Sequence, residues 1–253
     1  MSIFISNQKI CINIKNEHDL LTNIRNRLEA GDGFTLATLN THHIAVLRGD
    51  PSYCSVIAAQ DLICADGNPV VWLSRLGRSP VSLVTGSDML LPMAKIASEL
   101  GISIALVGST DAALKSAACS LVQNCPGLQV ALCLAPTFDF DPMGAEADAV
   151  LRAIAESGAG LCFLALGVPK QEILATRGRM IIPDVGFASI GAGIDYIAWP
   201  HRRAPVWMRA LALEWFWRLI SEPGRLSRRY LLCALILPSV IAQVLRQRRW
   251  TSQ

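Results

Sequence analysis

Five short apolar runs, residues 34–39, 62–65, 102–107, 130–134 and 161–166, each stop within a residue or two at a glycine, a proline or a polar side chain and give way to helical spacing. Apolarity on both faces over so short a length fits strands buried inside a sheet, and strands paired in parallel need a crossover helix between them. The alternation predicts an α/β fold, a mostly parallel Rossmann-like sheet with helices on both faces. Helices are expected at 44–48, 70–76, 87–100, 112–122 and 145–156, with Gly101 ending the third and Thr110-Asp111 capping the fourth. Ahead of them, 3–5 and 10–14 alternate around Asn7-Gln8 as a short hairpin, and 19–28 form a helix stopped by Gly31-Asp32-Gly33.

A parallel sheet sends every strand's carboxyl end to one edge, where open α/β sheets bind ligands. Three polar clusters arrive there: Thr38-x-Asn40, Asp66-Gly67 and Gly167-x-Pro169-Lys170-Gln171-Glu172. Pro169 suits the first turn of a helix, so Lys170, Gln171 and Glu172 emerge at its start. Asp66, an acid after a buried strand, has the setting in which an apolar wall raises a carboxyl pKa and suits it to general-base work; an Asp-Gly turn is the competing account. For Gln171 and Glu172 the competing account is a solvated first helical turn.

The net charge of +3 conceals an asymmetry. From Trp199 onward the chain has ten arginines, no lysine and two acids, a balance of +8 that leaves −5 for residues 1–198. An acidic body with an all-arginine tail points to an anionic partner at the tail. Hydrophobic residues make up 52% and charged ones 17%, with mean hydropathy +0.38, and a membrane surface is the leading candidate. Trp207, Leu211, Trp215 and Leu219 recur every fourth residue, an amphipathic helix starting at Pro205 and broken at Pro223-Gly224. Residues 230–245 are apolar, carry Pro238 and are bracketed by Arg228-Arg229 and Arg246, Arg248 and Arg249. They are shorter than the ~20 residues of a spanning helix, which favours an interfacial helix in the headgroups over a span; packing on the chain's own body is the third possibility. Ser239, Gln243 and Gln247 share one face of it. The division expected is an α/β body, 1–198, and a helical membrane-associating appendage, 199–253.

The remaining signals are negative. The eight cysteines are scattered, mostly inside apolar runs, which reads as buried thiols in a reducing compartment. Residues 1–14 lack a basic stretch followed by an apolar core, so the expected location is cytoplasmic. Asp139-Phe140-Asp141 reads as a loop capping the next helix rather than a cation site, the four histidines do not cluster, and no metal centre is expected. No Walker-type or G-x-G-x-x-G loop is present. Apolar segments interleave the arginines, which argues against a nucleic-acid partner. Arg218 has Glu214 four residues earlier as a surface partner, and Arg225 and Arg228 have a headgroup-anchoring alternative.

Taken in order, Thr38-x-Asn40, Ala65-Asp66-Gly67, Gly86-x-Asp88, Gly167-x-Pro169-Lys170-Gln171-Glu172, Arg203-Ala204-Pro205-x-Trp207, Glu214-Trp215-x-x-Arg218-Leu219 and Glu222-Pro223-x-Arg225-x-x-Arg228-Arg229 resemble the WecG/TagA/CpsF glycosyltransferases, over residues 35–230. The variant Asp66-Gly67-Asn68-Pro69-Val70-Val71-Trp72 is similar to the exopolysaccharide, GumM-like branch. The resemblance implies a fold of the GT-E type and an inverting, metal-independent hexosyltransferase without a cofactor, on the cytoplasmic face of the inner membrane. Its donor would be a UDP-sugar and its acceptor a polyprenyl-diphosphate-linked sugar, with an anionic membrane surface as partner and a homo-oligomer left open. It implies Asp66 as base and a substrate pocket of Thr38, Asn40, Gly67, Lys170, Gln171 and Arg203, closed over by Arg218, Arg225 and Arg228. One departure is Leu83, where family members often carry an arginine. The rival reading is a non-catalytic assembly factor of a polysaccharide-synthesis complex that kept the fold.

Overall fold

The computed structural model describes residues 2–5 and 8–250. The chain begins with β1 (Ser2–Ile5) and β2 (Gln8–Cys11), paired antiparallel, so the expected hairpin forms; its Asn7 lies outside the described residues. Then follow α1 (Glu17–Ala30), β3 (Phe34–Leu39), α2 (Thr41–Gly49), α3 (Pro51–Ala58), β4 (Leu62–Ala65), α4 (Asn68–Leu76), α5 (Gly86–Glu99), β5 (Ile104–Gly108) and α6 (Asp111–Asn124). The body continues through β6 (Val130–Leu134), α7 (Ala145–Ser157), β7 (Leu161–Ala165), α8 (Lys170–Ile181), β8 (Gly186–Ser189) and α9 (Gly193–Ala198). Helix starts are written in short polar side chains: Asn16, Asn40, Asp50, Thr85 and Thr110 each accept a backbone N–H of the first turn.

Six strands form one parallel sheet in the order β4-β3-β8-β7-β5-β6. Alternate residues face opposite sides. Leu36, Cys64, Leu106, Phe163 and Ala188 pack with α1, α5, α6 and α9. On the other side Ala37, Leu39, Ile63 and Ala65 pack with α2, α3 and α4, while Val107, Leu164 and Phe187 pack with α7 and α8. Both faces are therefore covered, as a parallel sheet requires. Strand β8 and helices α3 and α9 escaped the sequence reading: β8 is four residues, Gly186-Phe187-Ala188-Ser189, inside a glycine-rich stretch. Gly186 is needed there because a Cβ would stand 2.5 Å from the Phe34 ring. Cys54, Cys64, Cys125, Cys162 and Cys233 are buried, but Cys11, Cys119 and Cys133 are exposed, contrary to the expectation of burial; Cys133 lies on β6, the sheet's outer edge.

The C-terminal segment departs most from expectation. The tryptophan-spaced stretch is two helices, α10 (Val206–Ala210) and α11 (Glu214–Ser221), because Ala212 takes a left-handed conformation (φ 61°) and turns the chain between them. Pro223 then starts α12 (Pro223–Trp250), which runs through Pro238. Leu226, Cys233, Val240 and Val244 recur along its inner face, and Val240 and Val244 join the core formed with α2, α3 and α4. Ser239 and Gln243, expected to share a face, both bond Arg48 of α2, the latter at 3.1 Å. The outer face keeps Leu231, Leu232, Leu235, Ile241 and Leu245 exposed. Residues Pro223–Gln247 are long and apolar enough to cross a membrane by length and composition alone. As folded, α12 turns one stripe of side chains to the body and keeps an apolar stripe exposed on its other side.

Because a charge at Val240 would be buried without a partner, Val240→Asp is expected to free α12 from α2 and α4. Limited proteolysis within 223–250 should quicken about ten-fold or more while the body stays resistant; unchanged cleavage would contradict the packing.

A candidate active site at the carboxyl edge of the sheet

The carboxyl ends of β3 and β4 lie side by side, and the chain prolongs their ladder by one bond, Asp66 N–H to the Leu39 carbonyl at 2.9 Å. Asn40 and Asp66 thus emerge as neighbours. Asn40 caps α2: its Oδ1 accepts from the N–H groups of His42 (3.0 Å) and His43 (3.3 Å). Its amide also favours the ionised form of the neighbouring Asp66 carboxyl. Gly67 then turns at φ 99°, a conformation that favours glycine, and caps α4. Leu83 bridges to Ala65, the residue before Asp66, in parallel on the outer side of β4.

Burial pushes the Asp66 carboxyl up to about 6, opposed by the His43 ring, the Arg218 guanidinium and the Asn40 amide and reinforced by Glu214. A partly buried acid tuned close to neutrality is the setting of a general base.

On the other wall, Gly167 turns at φ 75° and Pro169 opens α8, as the sequence predicts. Lys170 is half-buried and Gln171 buried. Glu172 corrects the sequence reading, since it is not solvated at all: it is fully buried, and its carboxylate receives His43 Nε2 (3.1 Å), Tyr53 Oη (3.0 Å) and Gln171 Nε2 (2.6 Å). Thr38 is buried on β3 with its hydroxyl 3.5 Å from the Ser189 carbonyl. Gln171 Oε1, Ser189 Oγ and His42 Nδ1, buried at this edge, have no hydrogen-bond partner among the described residues. Buried polar atoms of that kind call for explanation, and a ligand's hydroxyls would satisfy them.

The C-terminal segment supplies the cationic side. Arg218 of α11 is half-buried, faces Asp66 and forms no ion pair with Glu214 among the described residues, so the surface-pair alternative is not what the fold uses. Arg203 donates to Asp88 at 2.6 Å, with its guanidinium 5.6 Å from the Tyr196 ring; Arg209 also approaches Asp88, at 4.0 Å. These pairs tie the segment to the start of α5. Arg225 is exposed, bonds Glu222 and lines a small pocket with Asp195, Tyr196, Arg202 and Arg218. Arg228 is exposed, and it is Arg229 that turns inward beside Arg218, with its buried Nε unpartnered among the described residues. Burial and that neighbouring arginine lower the hold of Arg229 on its proton, and burial with Arg229 lowers His42 to about 4. Cations placed together against a neutral histidine make a place for an anion.

Sequence reasoning passed over His43, Tyr53 and Arg229. The spacing Asn40-x-x-His43 after a strand is a capping-box pattern that marks His43, and Arg229 shares a helical face with Leu226 and Cys233. Tyr53 carried no signal, because it reaches Glu172 from a helix that the sequence reading missed. Elsewhere the Asp139-Phe140-Asp141 loop does hold the turn before α7: Asp141 accepts from Met143 N–H at 2.9 Å, although Gly144 is the capping residue.

The raised Asp66 pKa fixes a stability prediction. The folded chain holds this proton to about pH 6 and the unfolded chain only to about 4, so stability falls as pH rises between them, and the ionised carboxylate remains a cost on the order of 1–3 kcal/mol above pH 6. Asp66→Asn is expected to raise the melting temperature at pH 8 and leave it unchanged near pH 4, checked by thermal unfolding at both values.

Residues 8–253 match the sequence profile described as the glycosyl transferase WecG/TagA/CpsF family. A curated relative, the N-acetylglucosaminyldiphosphoundecaprenol N-acetyl-beta-D-mannosaminyltransferase of Bacillus subtilis (strain 168), is 27% identical over 218 residues, 86% of this chain and 81% of the relative. With a parallel sheet, an acid and a glutamine at its carboxyl edge, and a profile match running through the whole C-terminal segment, the chain belongs to the WecG/TagA/CpsF family of glycosyl transferases.

Proposed function

We propose that this chain is an inverting glycosyltransferase that moves a hexose from a UDP-sugar to a polyprenyl-diphosphate-linked sugar at the cytoplasmic face of the inner membrane, in exopolysaccharide or other surface-polysaccharide synthesis. The observation that carries the reading is a desolvated Asp66 facing Arg218, with Arg229 beside it. Glycosyl transfer needs a base for the acceptor hydroxyl and positive charge on the departing diphosphate. Asp66 takes the hydroxyl proton as that oxygen attacks the anomeric carbon. The bond to UDP breaks on the opposite face, inverting the centre, and arginines take up the charge left on the diphosphate. This is the metal-independent route that the family resemblance implies. Thr38, Asn40, Gly67, Lys170 and Gln171 line the substrate side, and Arg203, Arg225 and Arg228 complete the arginine set of the appendage.

The acceptor class is supported by the Bacillus subtilis relative, whose name describes transfer to an N-acetylglucosaminyl-diphosphoundecaprenol. Glucose, N-acetylmannosamine and its uronic acid are the donor sugars to compare. In this reading residues 199–253 act as the membrane-associating appendage: the exposed apolar face of α12 enters the headgroup region and brings the arginines to the lipid-borne diphosphate.

Two outcomes test it. Asp66→Asn is expected to lower transfer by about 100-fold or more, measured as glycosylated lipid product with UDP-sugar and lipid acceptor present; near-normal transfer would overturn the assignment. Leu231→Glu combined with Leu235→Glu is expected to abolish flotation with anionic vesicles without moving the melting temperature, since both side chains are exposed; undiminished flotation would remove α12 from the membrane contact.

A further inference from the structure

The described crevice has two walls, and one buried side chain reaches both. Glu172 is 0% exposed and His43 1%, at a depth where ionisable groups are rare unless paired. Glu172 Oε1 receives both His43 Nε2 at 3.1 Å and Gln171 Nε2 at 2.6 Å. A carboxylate only accepts, so the His43 proton facing it sits on Nε2. The other ring nitrogen, Nδ1, meets both groups of Asn40, its side-chain oxygen at 3.0 Å and its backbone N–H at 3.3 Å. The Asn40 side-chain oxygen is already occupied by the backbone of His42 and His43, so its NH2 group is turned toward Asp66. Along the second branch, donation from Gln171 Nε2 to Glu172 leaves Gln171 Oε1 as an unpartnered acceptor.

We propose that Glu172 and His43 are positioning residues for sugar transfer: Glu172 fixes a proton on His43 Nε2 and with it the ring, His43 with the α2 cap sets Asn40, and Asn40 sets the surroundings of the Asp66 carboxylate, while the same Glu172 aims the Gln171 carbonyl oxygen at a hydroxyl or N–H of the bound sugar. The proposal rests on the reading of Asp66 as the base. It differs from a purely structural role for the pair because each branch ends on a different reacting element. The His43 branch ends on the base and acts on the chemical step. The Gln171 branch ends on the bound sugar and acts on affinity.

The pH profile separates these roles from a loss of folding. Besides Asn40, the groups facing Asp66 are His43 of α2, Cys64 of β4, Arg218 and Glu214 of α11, and Arg229 of α12. Displacing the Asn40 amide, which favours the ionised carboxylate, moves the acid limb of the rate profile to higher pH.

The test compares steady-state transfer from UDP-sugar to vesicle-borne lipid acceptor by the full chain and its His43→Asn, Glu172→Gln, Asp66→Asn and Ile57→Val variants, the last as a control that loosens the same core. Per folded molecule, His43→Asn is expected to lose about 10- to 100-fold in kcat with KM nearly unchanged and its acid limb shifted upward. Glu172→Gln is expected to show the same loss together with a raised KM, and Ile57→Val neither. Wild-type kcat and an unmoved acid limb in both relay variants, with Asp66→Asn inactive, would overturn the relay and leave the base in place. An active Asp66→Asn would overturn both. Should a relay variant not fold, the nitrogen NMR shifts of His43 in the wild-type chain decide: Nε2 protonated supports the relay, and a proton on Nδ1 alone overturns it.

Discussion

Parallel pairing is the constraint from which the rest of this molecule follows. Six strands all running one way deliver their carboxyl ends to a single edge, so Asp66, Asn40, Ser189 and Gly167 line up along it in that order although they span much of the sequence. The interior of such a sheet must be apolar on both faces, and it is. Polar residues can enter only where the strands stop. The edge therefore collects the chain's chemistry, and the same burial that holds the sheet together desolvates Asp66 and pushes its carboxyl toward neutrality.

Charge at that edge is shared between the body and its C-terminal segment. The body contributes acids and a capped helix start, while the segment contributes guanidinium groups: Arg203 and Arg209 reach Asp88, and Arg218 and Arg229 face the crevice. Arg218 and Arg229 repel one another in a half-buried place, and a bound diphosphate would relieve that repulsion. Helix α12 then couples the site to its surroundings, its inner stripe fixed through Val240, Val244 and the Arg48 bonds and its outer stripe apolar and exposed. The exposed apolar stripe and Arg229 thereby belong to one element.

Most of the sheet could be read in advance because its strands are apolar runs with abrupt ends; the bounds of β3, β4 and β6 agree with the reading residue for residue. Strand β8 could not, since its Gly186 answers to a close approach by the Phe34 ring that only the fold reveals. The edge position of Thr38, Asn40, Asp66 and Gln171 was visible as polar residues after apolar runs. The fate of Glu172 was not, because nothing local distinguishes a solvated first-turn glutamate from one that meets His43 and Tyr53, each more than one hundred residues away in sequence. In the tail, four-residue spacing announced an amphipathic helix, but the left-handed turn at Ala212 that splits it carries no side-chain signal.

The most direct measurement is the mass of the lipid product formed by the full chain in vesicles, from a panel of UDP-sugars with polyprenyl-diphosphate glucose and N-acetylglucosamine acceptors and a chelator present throughout. The account predicts that one donor–acceptor pair gains the mass of a single sugar residue, with UDP released in equal amount. No glycosylated lipid from any pair, or UDP released only with free sugar, would contradict it.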